Sequence, residues 1–254
     1  MWRHFLFDIE GVICDDMDSA NLKEMAVKLL ERLKRDGKRV SLVSNVSRKS
    51  RRFVFETLRL KGLPIELEEV FTAGYVAAKY VRDLGFKRCF VISEGGLRED
   101  LLELGLEPVD DESAEVVVIG TDRGLTYQRL NYAMRLAIKG RKLVCAGASP
   151  IFKGSYLGDA GYFMGESSIA EAIKHATKKE VEYVGKPHPR IFMEALNGEE
   201  PSNAVMIGDK VIPDVMGAKG LGMSAVLVGG ERALGVKPDL VVSGLRELYE
   251  YLYP

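Results

Sequence analysis

Short apolar runs alternate with helix-period segments along almost the whole chain, and that alternation restricts it to the α/β class. His4-Phe5-Leu6-Phe7 reads as a buried strand that stops at Asp8. Leu22, Met25, Ala26, Leu29 and Leu33 then recur at helical spacing, with Gly37 as the stop signal. Val40-Ser41-Leu42-Val43 forms a second strand ending at Ser44-Asn45, and a basic helix follows that carries Phe53, Phe55 and Leu58. Strands and helices joined this closely predict a parallel sheet covered on both faces.

The middle of the chain repeats the pattern independently. Phe90-Val91-Ile92, Val116-Val117-Val118-Ile119 and Lys142-Leu143-Val144-Cys145 are strand-like, and Tyr127 to Ile138 is helical. Gly- and Ser-rich joins near Gly74 and between Gly147 and Gly165 set this block apart, so residues 75–177 are expected to be an inserted α/β domain. The first domain, residues 1–74, then resumes at 178–254 with strands at Val181-Glu182-Tyr183-Val184, Ala204-Val205-Met206-Ile207, Ala225-Val226-Leu227-Val228 and Leu240-Val241-Val242. The expected architecture is α/β: a Rossmann-like, doubly wound parallel sheet core with an α/β insertion.

Composition narrows the partners. The net charge of −1 gives no reason to expect nucleic acid or an anionic membrane surface. No apolar stretch reaches the ~18 residues of a membrane span, and the N-terminal run meets Asp8 too early for a signal peptide. Three widely spaced cysteines, Cys14, Cys89 and Cys145, fit neither a disulfide framework nor a zinc knuckle, which points to a reduced, cytoplasmic location. Gln128 is the only glutamine while Lys, Arg and Glu abound, the compositional direction of thermophiles.

In open parallel sheets ligands sit outside the carboxyl ends of the strands, so the residues following each core strand carry the chemistry. Asp8-Ile9-Glu10-Gly11-Val12 follows the first strand and Ser44-Asn45 the second; Gly185-Lys186-Pro187 comes later, then Gly208-Asp209, with Asp214 five positions on. Acids, a lysine and a hydroxyl converging on one edge make a site for a divalent cation and a phosphate. A carboxylate approaching a phosphate dianion meets repulsion on the order of 4 kcal/mol per charge pair at ~4 Å and a dielectric near 20. A Mg²⁺ ion on oxygen ligands and a lysine offset that repulsion, and a second carboxyl can pass a proton to the leaving oxygen.

At these residues the chain resembles the haloacid dehalogenase-like superfamily of phosphohydrolases. Phe7-Asp8-Ile9-Glu10-Gly11-Val12 is similar to its first motif, Ser44-Asn45 to its second, Lys186 to its third, and Gly208-Asp209 with Asp214 to its fourth. The resemblance implies Asp8 as nucleophile, Glu10 as acid and base, and Ser44, Asn45 and Lys186 as phosphate ligands. It implies Mg²⁺ held by Asp8, the backbone carbonyl of Glu10, Asp209 and Asp214. Phe71-Thr72-Ala73-Gly74-Tyr75-Val76-Ala77-Ala78 and Asp122-Arg123-Gly124-Leu125-Thr126-Tyr127 resemble the 4-nitrophenylphosphatase-like branch, in which a large α/β cap lies between motifs two and three. The implied activity is a Mg²⁺-dependent phosphatase acting on small-molecule or nucleotide phosphomonoesters, and the implied assembly includes a homodimer through cap contacts. Two departures stand out: Glu10 where the family normally carries Asp, and Ala146-Gly147-Ala148-Ser149 with Met164-Gly165-Glu166-Ser167 where the branch carries Thr-Asn-x-Asp and Pro-Gly-Ala-Gly.

Plainer roles compete for several of these residues. Ser44-Asn45 suits a helix N-cap as well as an anion site, and Asp214 suits either direct metal contact or support of its neighbours. Asp15, Asp16 and Asp18 read as a solvated loop and helix start, and Gly217-Ala218-Lys219-Gly220-Leu221-Gly222 as a helix-to-strand connection. Two further functions keep the same residues: a catalytically weakened protein that binds a phosphorylated ligand, and a phosphotransferase in which an alcohol replaces water.

Overall fold

The computed structural model describes residues 2–230 and 235–254. In chain order it opens with β1 (His4–Phe7), α1 (Ala26–Arg35), β2 (Arg39–Ser44), α2 (Arg51–Leu60) and β3 (Val70–Thr72). Then come α3 (Ala73–Asp83), β4 (Arg88–Ile92), α4 (Gly96–Glu103), β5 (Glu107–Pro108), β6 (Val116–Ile119), α5 (Tyr127–Ile138) and β7 (Lys142–Cys145). A hairpin, β8 (Ile151–Tyr156) and β9 (Asp159–Met164), precedes α6 (Glu166–Thr177) and β10 (Val181–Tyr183). The chain ends with α7 (Pro189–Leu196), β11 (Ala204–Gly208), a π-helical turn Val211–Met216 running into α8 (Gly217–Gly220), β12 (Ser224–Val228), β13 (Leu240–Val242) and α9 (Leu245–Leu252).

Two compact units result. The first comprises Met1–Ser44, Arg52–Phe71 and Lys186–Pro254, and the second Asn45–Arg51 and Thr72–Gly185. The sheet of the first unit has the order β13-β12-β11-β1-β2-β3. β1 pairs in parallel with β2 on one side and β11 on the other, so that Phe5 faces both Val40 and Val205. All four residues of β1 and all five of β11 are buried, as continuous apolar runs require when helices cover both faces. From β1 the chain winds to β2, whereas β11, β12 and β13 wind the other way. The winding direction therefore reverses between β1 and β11, where an open sheet forms its crevice.

The second unit holds a five-stranded sheet, β10-β7-β6-β4-β5, and the β8–β9 hairpin. Its core gathers Phe90, Val117, Ile119 and Leu143 from the strands with Leu136, Ile169 and Ile173 from α5 and α6.

Tertiary contacts overturn several local expectations. Val181–Tyr183 does not resume the first sheet: it pairs with β7, Tyr183 facing Cys145, as the half-exposed edge of the second. The chain returns to the first unit only after Gly185, and residues 45–51 and 72–74 also group with the second unit. In α2 the buried pair is Val54 and Leu58, four apart on one face, while Phe53 is exposed. Ser44-Asn45 does not directly precede a helix, because α2 begins only at Arg51, whose backbone N–H donates to Asp100 Oδ1 at 2.8 Å. No described helix is long and apolar enough to cross a membrane.

A buried histidine inside the first sheet gives this fold an acid limit. His4 Nε2 lies 2.9 Å from Ser41 Oγ, and that hydroxyl also stands 3.3 Å from the Ala195 carbonyl. Burial, with Arg39 acting the same way, lowers its pKa from 6.5 to about 4. The folded state thus takes up its proton later than the unfolded chain. The stabilisation is complete above pH ~6.5 and is lost as pH falls towards ~4, a difference on the order of 3 kcal/mol. Urea unfolding of wild type and His4→Asn between pH 4 and 7 should show a flatter dependence in the variant. Parallel curves would show that His4 does not set the acid limit.

Candidate active site

Asp8 leaves the end of β1 with its side chain largely buried, its backbone N–H donating to the Ile207 carbonyl of β11 at 2.8 Å. It therefore sits at the reversal point itself. Lys186 Nζ approaches Asp8 Oδ1 at 2.8 Å and Asp214 Oδ1 at 2.7 Å, and all three side chains are almost wholly removed from solvent. Asp214 Oδ2 accepts the Lys210 backbone N–H at 3.1 Å, so both of its oxygens are engaged. Asp209 closes the group beside β11, with Lys210 Nζ 3.1 Å from its carboxylate.

Two glycines make this convergence possible. A Cβ on Gly208 would lie 2.3 Å from the Asp214 side chain, and one on Gly11 2.5 Å from Asp209 Oδ2, at a backbone φ of +88°. Gly208→Ala should therefore push Asp214 away from Lys186. We expect a loss of about 1–3 kcal/mol of stability, typical of forced overpacking, with a larger proportional loss of any activity that uses Lys186. A crystal structure or melting curve indistinguishable from wild type would show that the turn has slack.

The electrostatics are unbalanced in one direction. Burial pushes the Asp8 carboxyl up to about 8; Lys186 opposes that, but Asp214 and Asp209 add to it. Asp214 is raised for the same first reason, and Lys186 is held above its usual value by the two acids despite its burial. Two carboxylates share one ammonium, with a third acid close by. Asp8, Asp209 and Asp214 offer oxygens that lie within 4.8 Å of one another. An all-oxygen, mutually repelling donor set of this kind fits a hard divalent cation such as Mg²⁺.

The other residues expected from the sequence are less concentrated. The Glu10 carboxylate stands outside this trio and accepts the Met17 backbone N–H at 3.0 Å, within the loop that leaves β1. Ser44 is buried at the end of β2, the neighbour of β1 in the sheet. Asn45, the next residue, belongs to the second unit, where its Oδ1 lies 2.7 Å from where a Gly185 Cβ would be. Asp16 holds a local turn, its Oδ1 accepting the N–H groups of Asp18 and Ser19, in keeping with a loop role.

Sequence reasoning missed a cleft of about 740 Å³ in the first unit, lined by Gly11, Asp209, Lys210, Lys23 and Arg246 with the Gly229-Gly230 turn. The Gly229-Gly230 pair directly after β12 is the local signal for it. The role of Lys210 as the backbone support of Asp214 was also missed, because nothing local distinguishes that lysine from a solvated one.

Residues 5–107 match the family described as haloacid dehalogenase-like hydrolase, and residues 183–248 match a HAD-hydrolase-like model. The chain is 31% identical over 98% of its length to the phospholysine phosphohistidine inorganic pyrophosphate phosphatase of Bos taurus, covering 94% of that protein. Among solved structures, the p-nitrophenyl phosphatase from Archaeoglobus fulgidus superposes with a TM-score of 0.89 at 30% identity, covering 98% of this chain and 99% of that one. The 4-nitrophenylphosphatase from Thermotoga maritima gives 0.86 at 27% identity, covering 98% and 97%. The chain belongs to the haloacid dehalogenase-like hydrolase family and is an enzyme of its phosphatase kind.

Proposed function

We propose that this enzyme hydrolyses small-molecule or nucleotide phosphomonoesters through an aspartyl-phosphate formed on Asp8. The observation that carries the reading is Lys186 shared between Asp8 and Asp214 where the winding of the sheet reverses. Asp8 Oδ attacks phosphorus in line with the departing oxygen, and Lys186, Ser44 and Asn45 hold the phosphoryl oxygens. Glu10 gives its proton to the leaving alcohol and then takes one from the water that opens the acyl phosphate, returning Asp8 to a carboxylate. Asp8, Asp209 and the Glu10 backbone carbonyl would hold Mg²⁺, which when bound supplies positive charge to the transferring group. Asp214, with both oxygens already engaged, acts mainly by fixing Lys186.

The hydrogen bond from Met17 to Glu10 favours a second reading, in which that carboxylate is held back and the protein binds a phosphorylated ligand without turning it over. Phosphate release separates the two, measured with and without Mg²⁺ on a panel that includes p-nitrophenyl phosphate, nucleoside monophosphates, pyrophosphate, phospholysine and phosphohistidine. Metal-dependent release, lowered about 10²–10⁴-fold in Glu10→Gln as expected for loss of a general acid and base, supports hydrolysis. Metal-dependent binding without release supports the binder. Transfer to added alcohols in place of water would make the enzyme a phosphotransferase.

A further inference from the structure

Residues 45–51 follow Ser44 directly yet are tied into the second unit. Backbone bonds run to Val46 from Gly74 at 3.3 Å, to Ser47 from Leu97 at 3.0 Å and to Arg48 from Gly96 at 3.1 Å. A second tie is made by buried side chains. The Thr121 N–H donates to Ser47 Oγ at 3.0 Å, and the Thr121 hydroxyl donates to Glu166 Oε2 at 2.7 Å. The Ser47 hydroxyl reaches Thr121 Oγ1 at 3.4 Å, and Glu166 Oε1 accepts the Ser149 N–H at 3.4 Å. Ser47, Thr121 and Glu166 are only 1%, 6% and 2% exposed.

The backbone is closed tightly around this group. A Cβ on Gly147 would meet Glu166 Oε1 at 2.0 Å, and one on Gly120 would meet Ser47 Oγ at 3.1 Å. Gly185, the residue before Lys186, is packed just as closely: its Cβ would lie 2.5 Å from the Ala146 carbonyl and 2.7 Å from Asn45 Oδ1. Gly185 is thus the shared neighbour of Asn45 and of the Ala146-Gly147 segment, and that segment passes close to the Glu166 carboxyl. Taking a carboxyl out of water costs several kcal/mol unless it is well partnered, and burial raises the pKa of this one. The catalytic steps proposed for Asp8 and Glu10 make no use of it.

We propose that Ser47, Thr121 and Glu166 form a positioning relay that holds Asn45 in its phosphate-binding geometry and so sets the affinity of the enzyme for the phosphoryl group. The inference rests on the phosphatase reading, in which Asn45 binds a phosphoryl oxygen. Ser47 is two residues from Asn45, so bonds to its hydroxyl and carbonyl, together with the bond to the Val46 carbonyl, fix the backbone from which the Asn45 side chain projects. Thr121 is the centre of the relay, because its N–H and hydroxyl face opposite ends.

The test is a double-mutant cycle on the full chain, read as the dissociation constant of inorganic phosphate in the presence of Mg²⁺ and as KM and kcat on p-nitrophenyl phosphate. Thr121→Val, which keeps the shape and removes the hydroxyl, should weaken phosphate binding about tenfold, the worth of one buried hydrogen bond. Thr121→Ser, which keeps the hydroxyl, should stay within about twofold. In an Asn45→Ala background, Thr121→Val should add less than about twofold, because the residue through which it acts is gone. Unchanged phosphate affinity in Thr121→Val, or effects that multiply in the double variant, would overturn the relay. If Thr121→Val does not fold, Ser47→Ala carries the same cycle. Failure of the wild type to release phosphate from any ester would instead overturn the phosphatase reading, while phosphate affinity still judges the relay.

Discussion

Asp8→Asn should lower phosphate release by at least about 10⁴-fold, the scale on which removal of a covalent nucleophile acts, while leaving the chain folded and no less stable. The two halves of this expectation have separate causes. The amide has the shape of the carboxyl but no lone pair of useful basicity to attack phosphorus. Wild type buries two carboxylates on one ammonium with Asp209 alongside, and burial opposes the charge of Asp8. Removing that charge leaves Lys186 paired one-to-one with Asp214, so the melting temperature measured in chelator should hold or rise. Activity within tenfold of wild type would exclude Asp8 as nucleophile. Loss of activity together with a large drop in melting temperature would show that the buried charges are better balanced than the geometry indicates.

Lys186→Met should be the most damaging single change to the site, costing about 3–5 kcal/mol of stability because it leaves buried carboxylates without their cation. Lys186 is 2% exposed and contacts both Asp8 and Asp214, so methionine fills the space without replacing the charge. Phosphate release should fall with it, since both the orientation of Asp8 and one contact to the phosphoryl group are lost. Adding Asp214→Asn to this variant should recover part of the stability and none of the activity, because it removes a stranded charge but restores no ammonium. Denaturant midpoints of the single and double variants in chelator measure the difference. A Lys186→Met protein as stable as wild type would mean that water or rearrangement reaches these acids.

The edge of the first sheet is legible in the amino-acid sequence because each of its residues follows an apolar run that is itself locally recognisable. Asp8 ends β1, Ser44 ends β2 and Gly208-Asp209 ends β11, and each strand is buried along its length apart from the exposed first residue of β2. A parallel sheet brings those ends to one side whatever the rest of the chain does. Helix faces are less legible: Phe53 has the character of a core residue and is exposed, while its neighbour Val54 faces inward, a rotation that depends on which sheet the helix covers.

The sequence alone therefore determined the α/β class, the strand ends and the acids, lysine and hydroxyl that stand on them, since these follow from local apolar periodicity and chain direction. Tertiary structure alone decided that Val181–Tyr183 pairs with β7 and that residues 45–51 are bonded into the second unit, because strand partners are chosen by contacts distant in sequence. It also decided that both oxygens of Asp214 are occupied, one by Lys186 and one by the Lys210 N–H, and that Glu166 and Thr121 lie buried against each other. A buried polar group must be satisfied by whatever neighbour the fold supplies, and spacing along the chain carries no record of that neighbour.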